Sequence, residues 1–317
     1  MTKSILIPNL ADAMVRVGEA AAIASYGMVG RGDEKAADQA AVDAMRTAFN
    51  AVDFKGRIVI GEGERDEAPM LYIGEEVGTG NGPEIDIALD PLEGTTLTAK
   101  AMANALAVLA ISPRGGLLHA PDTYMDKIAI GPGYPAGVVS LEASPSENIA
   151  ALAKAKGVAV SDMTACVLDR PRHADIIESL RSAGARIKLI TDGDVAGVIN
   201  TTDPMTGIDL YIGSGGAPEG VLAAAALKCV GGQMEGRLIF RNDTERDRAT
   251  RHGVKDFDKL YTLDEMASDE TVFVATGVTK GELVDGVRVH NGEVHTHTLV
   301  MTSADGMVRT IRSKRPI

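Results

Sequence analysis

The chain reads as a layered α/β protein on three observations. Its second half alternates apolar strand runs with helical patterns at βαβ spacing, its first half mixes alanine-rich helices with short strands, and it holds no repeat or low-complexity tract. Residues 11–27 and 34–50 are helical patterns, the second opening at Asp33, a side chain suited to capping a helix start. A short strand, Arg57 to Ile60, leads into the acidic loop GEGERDE. A second strand, Ile85 to Leu89, ends on Asp90, and the apolar run from Ala105 to Ile111 is expected to turn back at Gly115 and Gly116 as a hairpin. Ser144, Pro145 and Glu147 supply an N-cap, a first-turn proline and a capping-box acid for a helix stopped at Gly157. A domain boundary is expected there, between residues 1–157 and 158–317. From Thr164 the order is strand (TACVL), helix from Pro171 to Ala183, strand (IKLI), helix from Asp194, strand (IDLYI), helix from Pro218 and strand (RLIF). Such units place ligands at the carboxyl ends of their strands. Beyond residue 270, TVFVATGV, EVHTHTLVM and MVRTIRS read as antiparallel strands.

Composition narrows the function. A chain of 317 residues, 45% hydrophobic and 24% charged, buries about 75% of its unfolded surface without disulfides or a structural metal. The formal net charge of −12 argues against duplex nucleic acid or an anionic membrane as partner. Six Tyr, five Phe and no Trp leave few platforms for stacking bases. Cys166 and Cys229 stand far apart in apolar runs, as buried thiols of a reducing compartment do, so a cytoplasmic protein is expected. No zinc spacing and no membrane-length apolar run occurs.

Acidic residues usually face solvent, so the informative ones stand among glycines or at strand ends. Four clusters qualify: Asp33 and Asp38 in GRGDEKAAD, Glu62, Glu64 and Asp66 in IGEGERDEAP, Asp86, Asp90 and Glu93 in DIALDPLEGTT, and Glu219 in GSGGAPEG. Hard cations such as Mg²⁺ and Mn²⁺ take carboxylate oxygens and pair them with substrate phosphates. The sharpest cluster is Asp90-Pro-Leu-Glu-Gly-Thr95, where Pro91 and Gly94 enforce a turn that brings Glu93 and Thr95 back toward Asp90. Its plainer reading is an acidic turn with a helix cap after it. Arg170 and Arg172 flank Pro171 at a helix start, so both guanidinium forks and the free backbone N–H groups can face one phosphate. In TDGDVAG the calcium-loop pattern fails at Ala196, and the Gly-Thr that follows the Asp pair of haloacid-dehalogenase-type phosphatases is missing. Asp192 and Asp194 fit better as acceptors from sugar hydroxyls. His173 reads as support behind Arg172. His295 and His297 share a strand face with no evident carboxylate partner, and read as packing or surface residues.

The strand-D-P-L-E-G-T element resembles the metal site of the lithium-sensitive phosphatase superfamily, which includes inositol monophosphatases and fructose bisphosphatases. GEGERDEAPMLYIGEEVG, NALAVLAIS, APDTYM, RPRH, DGDVA and GGAPEGV, in order from about residue 30 to 240, resemble class II fructose-1,6-bisphosphatases. The resemblance implies an αβαβα sandwich with its site between the two halves, two or more Mg²⁺ or Mn²⁺ ions, and a homo-oligomer, dimer or tetramer. It implies Asp38 and Glu62 as ligands of one metal, and Asp90, Glu93 and Glu219 as ligands of a second. It assigns Glu93, Gly94, Thr95, Tyr124, Arg170, Pro171, Arg172, Asp192, Gly193, Asp194 and Gly216 to the sugar bisphosphate. After GRGD the resemblance leads one to expect lysine first, whereas here Glu34 precedes Lys35. The implied reaction, a step of gluconeogenesis and sugar-phosphate metabolism, removes the 1-phosphate of fructose 1,6-bisphosphate by in-line attack of water activated at the metals. Thr95 is cast as the group that activates that water, with Asp66 and Glu64 as the acids of the same site. Sedoheptulose 1,7-bisphosphate is an alternative substrate, and a non-catalytic binder of metal or sugar phosphate is the alternative of another class.

Overall fold

The computed structural model describes residues 9–63 and 70–317. The protein is mixed α/β, with two mixed sheets and several helices, as the sequence predicts. Its contacts form two units, one running to Leu118 and resuming at Ala267–Ile317, the other His119–Met266. The boundary expected at residue 157 therefore falls inside the second unit. Helix Pro145–Lys156 has the predicted capping box at Ser144 and Glu147 and the αL stop at Gly157. It buries Ile149, Leu152 and Ala153 in one core with Ile128, Val167 and Leu210. A glycine stop looks the same in sequence whether or not a domain ends at it.

The first unit is built on an eight-stranded sheet in the order Arg288–His290, Glu293–Thr302, Val272–Gly277, Leu106–Pro113, Glu84–Glu93, Lys55–Ile60 and Glu76–Val77, with Met307–Pro316 also paired to Glu293–Thr302. Helices Asn9–Tyr26 and Glu34–Phe49 bury Met14, Val17, Val42, Met45 and Phe49 in one core with Ile58, Ile87, Leu109, Val274 and Val300. Two expectations need correction here. Strand Glu84–Glu93 does not end on Asp90 but continues through Pro91 to a last pairing of Glu93 with Leu106. Its register shifts between Asp90 and Glu93, so the proline, which cannot donate to a ladder, sits in a bulge. Nor does the chain turn back as a hairpin at Gly115 and Gly116. Strand Leu106–Pro113 is flanked by Glu84–Glu93 and Val272–Gly277, antiparallel to both, and the Gly115 N–H is held by the Asp86 carboxylate at 2.7 Å. The antiparallel strands expected beyond residue 270 are present.

The second unit carries a six-stranded sheet, Leu260–Thr262, Gln233–Ile239, Tyr124–Ile130, Leu210–Gly216, Thr164–Leu168 and Arg186–Ile190. Thr164–Leu168 is parallel to both Arg186–Ile190 and Leu210–Gly216, as the βαβ reading requires. The helix expected from Pro171 begins as a 3₁₀ turn, Pro171–His173, and becomes α over Ala174–Ser182. Helix Ala217–Val230 is apolar and buried on nearly every side. Both cysteines are buried, and among the described residues no helix is long and apolar enough to cross a membrane.

Candidate active site

In the first unit the parallel strands Lys55–Ile60 and Glu84–Glu93 run side by side, with Ile60 in register with Ala88. Their carboxyl ends therefore deliver Glu62 and Asp90 to one end of the sheet. Asp38 comes from the first turns of helix Glu34–Phe49 and is hydrogen-bonded to Glu62. Burial, and then the negative charges of Asp38 and Asp90, push the Glu62 carboxyl up to about 9. Burial also raises Asp38.

Each of these carboxylates is positioned by its own segment. The Asp33 side chain caps the helix that carries Asp38, accepting from Ala36 N at 3.0 Å. The preceding loop is fastened to the turn after Asp90, since Gly30 and Gly32 N–H donate to the Thr98 and Ala99 carbonyls and Thr96 Oγ1 donates to Glu34 Oε1 at 2.9 Å. Glu34 thus has a positioning task where the resemblance leads one to expect lysine, and Lys35 is exposed. The Glu62 N–H donates to the Leu71 carbonyl at 3.1 Å. That approach requires glycine at 61, because a Cβ there would lie 2.1 Å from the same carbonyl oxygen. Leu71 is held in turn by the buried Glu75, whose Oε1 takes the Arg46 Nε at 2.6 Å.

At the bulge, Asp90 Oδ1 accepts from Leu92 N at 3.0 Å, and Glu93 is buried. Gly94, at φ 90, precedes the short helix Thr95–Ala99 and makes Thr95 its half-buried first residue. Asp86, from the same acidic cluster, serves the fold instead. It is fully buried, with Arg57 bidentate on it at 3.0 Å. Glu64 and Asp66 lie outside the described residues.

Among the described residues no group of three or more His, Cys, Asp and Glu is drawn together closely enough to hold an ion outright. The donor chemistry nevertheless fits a hard divalent cation. Asp38, Glu62 and Asp90 offer only oxygen, and burial together with the Asp38 and Asp90 charges disfavours ionisation of Glu62 until a cation compensates it.

In the second unit, Tyr124 and Gly216 are direct register partners on adjacent strands. Arg172 lies over the Tyr124 ring at 5.0 Å and is anchored by Nη2 to the Ser214 carbonyl at 2.8 Å and by Nε to Ser214 Oγ at 3.0 Å. His173 braces that anchor. Its Nε2 accepts from Ser214 N at 2.8 Å while Nδ1 faces the Leu168 carbonyl at 2.8 Å, which defines the neutral Nδ1–H tautomer. Burial, first of all, lowers its pKa. Arg170 stands at the start of the 3₁₀ turn with Nη1 on the Asp169 carbonyl, and Pro171 is the first residue of that turn.

Asp192 accepts from the Gly193 N–H, and Gly193 takes φ 83 ahead of helix Asp194–Ile199. Asp194 is buried, and its Oδ2 is taken by Lys127 Nζ and approached by the Tyr211 hydroxyl. Lys127, only 1% exposed, also donates to the Gly216 carbonyl at 2.9 Å. It therefore ties the DGD and GGAPEG segments together. Glu219 accepts from Gly216 N at 2.8 Å as the third residue of helix Ala217–Val230.

Sequence reasoning missed two residues. Lys127 gave no signal, because its partners lie on other strands and helices. Arg241 lies over the Tyr124 ring at 4.8 Å and is paired with Glu245. The pattern Asn242-x-x-Glu245 signalled the helix start that places Arg241, with Asn242 Oδ1 accepting from Glu245 N at 3.0 Å.

Residues 8–315 match the family described as bacterial fructose-1,6-bisphosphatase, glpX-encoded. The chain is 46% identical to the D-fructose 1,6-bisphosphatase class 2/sedoheptulose 1,7-bisphosphatase of Synechococcus sp. (strain JA-3-3Ab), over 94% of this chain and 93% of that one. It is 44% identical to the protein of the same name from Prochlorococcus marinus (strain NATL1A), over 95% and 94% of the two chains. With a family match along almost its whole length, and these relatives covering the same span, the chain belongs to the glpX-encoded bacterial fructose-1,6-bisphosphatase family.

Proposed function

We propose that the chain hydrolyses the 1-phosphate of fructose 1,6-bisphosphate, giving fructose 6-phosphate and phosphate, with divalent cations bound at Asp38, Glu62, Asp90 and Glu93. The observation that carries this reading is the convergence of Asp38, Glu62 and Asp90 from one helix and two parallel strand ends, with a threonine hydroxyl on the next turn. When bound, Mg²⁺ or Mn²⁺ acidifies water and offsets charge on the phosphoryl oxygens. The chain's own part is to hold and orient. Glu93 and Glu219 are further carboxylates for the cations. Thr95 orients the water and passes its proton toward the acidic loop of Glu64 and Asp66. Tyr124, Asp192, Gly193 and Gly216 bind the sugar phosphate, with Asp194 held for that task by Lys127.

The relatives' names carry sedoheptulose 1,7-bisphosphate as well, and one more CHOH leaves both phosphates recognisable, so this substrate is the second reading. A phosphate-release panel of fructose 1,6-bisphosphate, sedoheptulose 1,7-bisphosphate and fructose 6-phosphate, with Mg²⁺ or Mn²⁺ and after chelation, tests both. Turnover of a bisphosphate only with metal is expected. Binding without any turnover would leave a non-catalytic binder. The two buried cysteines, far apart in apolar runs, favour the cytoplasm, and the resemblance favours a homo-oligomer.

Arg170 and Arg172 are assigned to the phosphate that is not cleaved. Arg172→Ala removes charge-assisted hydrogen bonds and is expected to lower kcat/KM for the bisphosphate by roughly tenfold to a hundredfold. A 1-monophosphate substrate, measured in parallel, should lose far less. Equal losses on both would contradict the assignment.

A further inference from the structure

Away from the carboxylates, the first unit has a cavity of about 300 Å³ bordered by Asp285, Arg288, His290, His295, His297 and Arg312. It is built by strand pairing. Arg288 faces His295 across one pair of strands, His297 faces Arg312 across the next, and residues opposed in this way present their side chains on the same face. Lys314, opposite His295, and Glu293, opposite His290, share that face. In a chain of net charge −12, three permanent cations and three histidines thus meet two carboxylates.

The carboxylates are partly used up by those cations. Asp285 takes Arg312 Nη1 at 2.8 Å and Arg288 Nη2 at 3.4 Å, and Glu293 lies 3.5 Å from His295 and 3.7 Å from Lys314. Each guanidinium carries five N–H donors, so these single contacts leave most of each fork for another acceptor. His297 adds a donor of fixed identity. Its Nδ1 accepts from the Asp285 backbone N–H at 2.8 Å, so in the neutral ring the proton is on Nε2. Burial, and then the Arg312 charge, keep its pKa below the usual value, which favours the neutral ring.

Donors therefore surround a cavity of small-molecule size. We propose that it is a second anion site, distinct from the catalytic carboxylates, which takes a phosphate group through Arg288, Arg312 and the Nε2–H of His297. Two strands, Val272–Gly277 and Leu106–Pro113, separate it in the sheet from the strand that carries Asp90 and Glu93. At about 4.8 Å per strand spacing that is on the order of 14 Å, so one small phosphate cannot serve both places. The inference does not rest on the proposed function, because binding is read directly.

The test follows the histidine side-chain ¹H–¹⁵N signals of the full-length, Mg²⁺-loaded protein during titration with inorganic phosphate and, separately, glycerol 3-phosphate. The His297 signal is assigned by its loss in His297→Gln. Saturable shifts of His297 and His295 are expected with at least one probe. Tighter binding of glycerol 3-phosphate would identify a phosphate ester as the occupant, and equal binding would identify free phosphate. Arg288→Ala combined with Arg312→Ala should weaken the affinity by about tenfold or more, the worth of one charge-assisted hydrogen bond or better. Both arginines are exposed, so this variant should fold. No saturable shift with either probe, or an unchanged affinity in the double variant, would overturn the proposal.

Discussion

Thr95→Ala is expected to lower kcat by about two to four orders of magnitude, the usual worth of general acid–base help, while KM changes little. A threonine hydroxyl is a poor nucleophile at neutral pH, but orienting a water needs only fixed position and an acceptor for the proton. The position is fixed. Gly94 takes φ 90, a conformation that side-chain-bearing residues rarely adopt, and Thr95 opens the helix directly behind the bulge of Asp90 to Glu93. In the proposed site cations and arginines hold the phosphates, so losing the hydroxyl should spare substrate binding. Thr95→Ser should keep part of the rate. Thr96→Ala serves as the contrast, because that hydroxyl is engaged by Glu34 and its loss should cost much less. Near-normal kcat in Thr95→Ala would show that the cations alone activate the water, and trapping of phosphothreonine at 95 would replace activation by direct attack.

Glu62→Gln should abolish turnover and weaken divalent-cation binding by more than the tenfold to hundredfold typical of an outer-shell partner. The same substitution should raise the melting temperature of the metal-free protein. Glu62 is a partly buried carboxyl pushed up to about 9 by burial and by Asp38 and Asp90, so its ionised form works against the fold when no cation is bound. The sign is that of an acid whose pKa is higher folded than unfolded. Its contribution to stability is complete below the unfolded value near 4.5 and is lost as pH rises toward about 9. The metal-free wild type should therefore lose stability across that range, and Glu62→Gln should lose less. Thermal unfolding in chelator, with and without Mg²⁺, checks this. A Glu62→Gln protein that is less stable than wild type without metal would contradict the carboxylate-repulsion picture.

What could be read from the sequence was what short-range chemistry encodes. The helix capped by Ser144, Pro145 and Glu147 and stopped at Gly157 was legible because each signal lies within a turn of its partner. The parallel strands from Thr164 to Gly216 were legible because their crossovers are short. The domain boundary was not, because strands 272–277 and 293–302 return from far along the chain to complete the first unit's sheet. The hairpin at Gly115 failed for the same reason, since the strand paired with Leu106–Pro113 on its far side comes from Val272–Gly277. Pro91 read as a stop because a proline ends a regular ladder, and a bulge is the exception.

The candidate site divides in the same way. Asp38, Glu62, Asp90 and Glu93 stand out locally because glycines and a strand end surround them. The supports do not. Arg46 holds Glu75, which pins Leu71, His173 braces Ser214 under Arg172, and Lys127 joins Asp194 to Gly216; the Arg46–Glu75, His173–Ser214 and Lys127 contacts each link residues 29 or more apart.

The most direct measurement is ³¹P NMR of fructose 1,6-bisphosphate turnover by the full-length protein, with Mg²⁺ and then after exhaustive chelation. With Mg²⁺, the 1-phosphate resonance should disappear while inorganic phosphate grows and the 6-phosphate resonance persists, and chelation should stop the reaction. Loss of the 6-phosphate instead, or undiminished turnover after chelation, would contradict hydrolysis at cations held by Asp38, Glu62, Asp90 and Glu93.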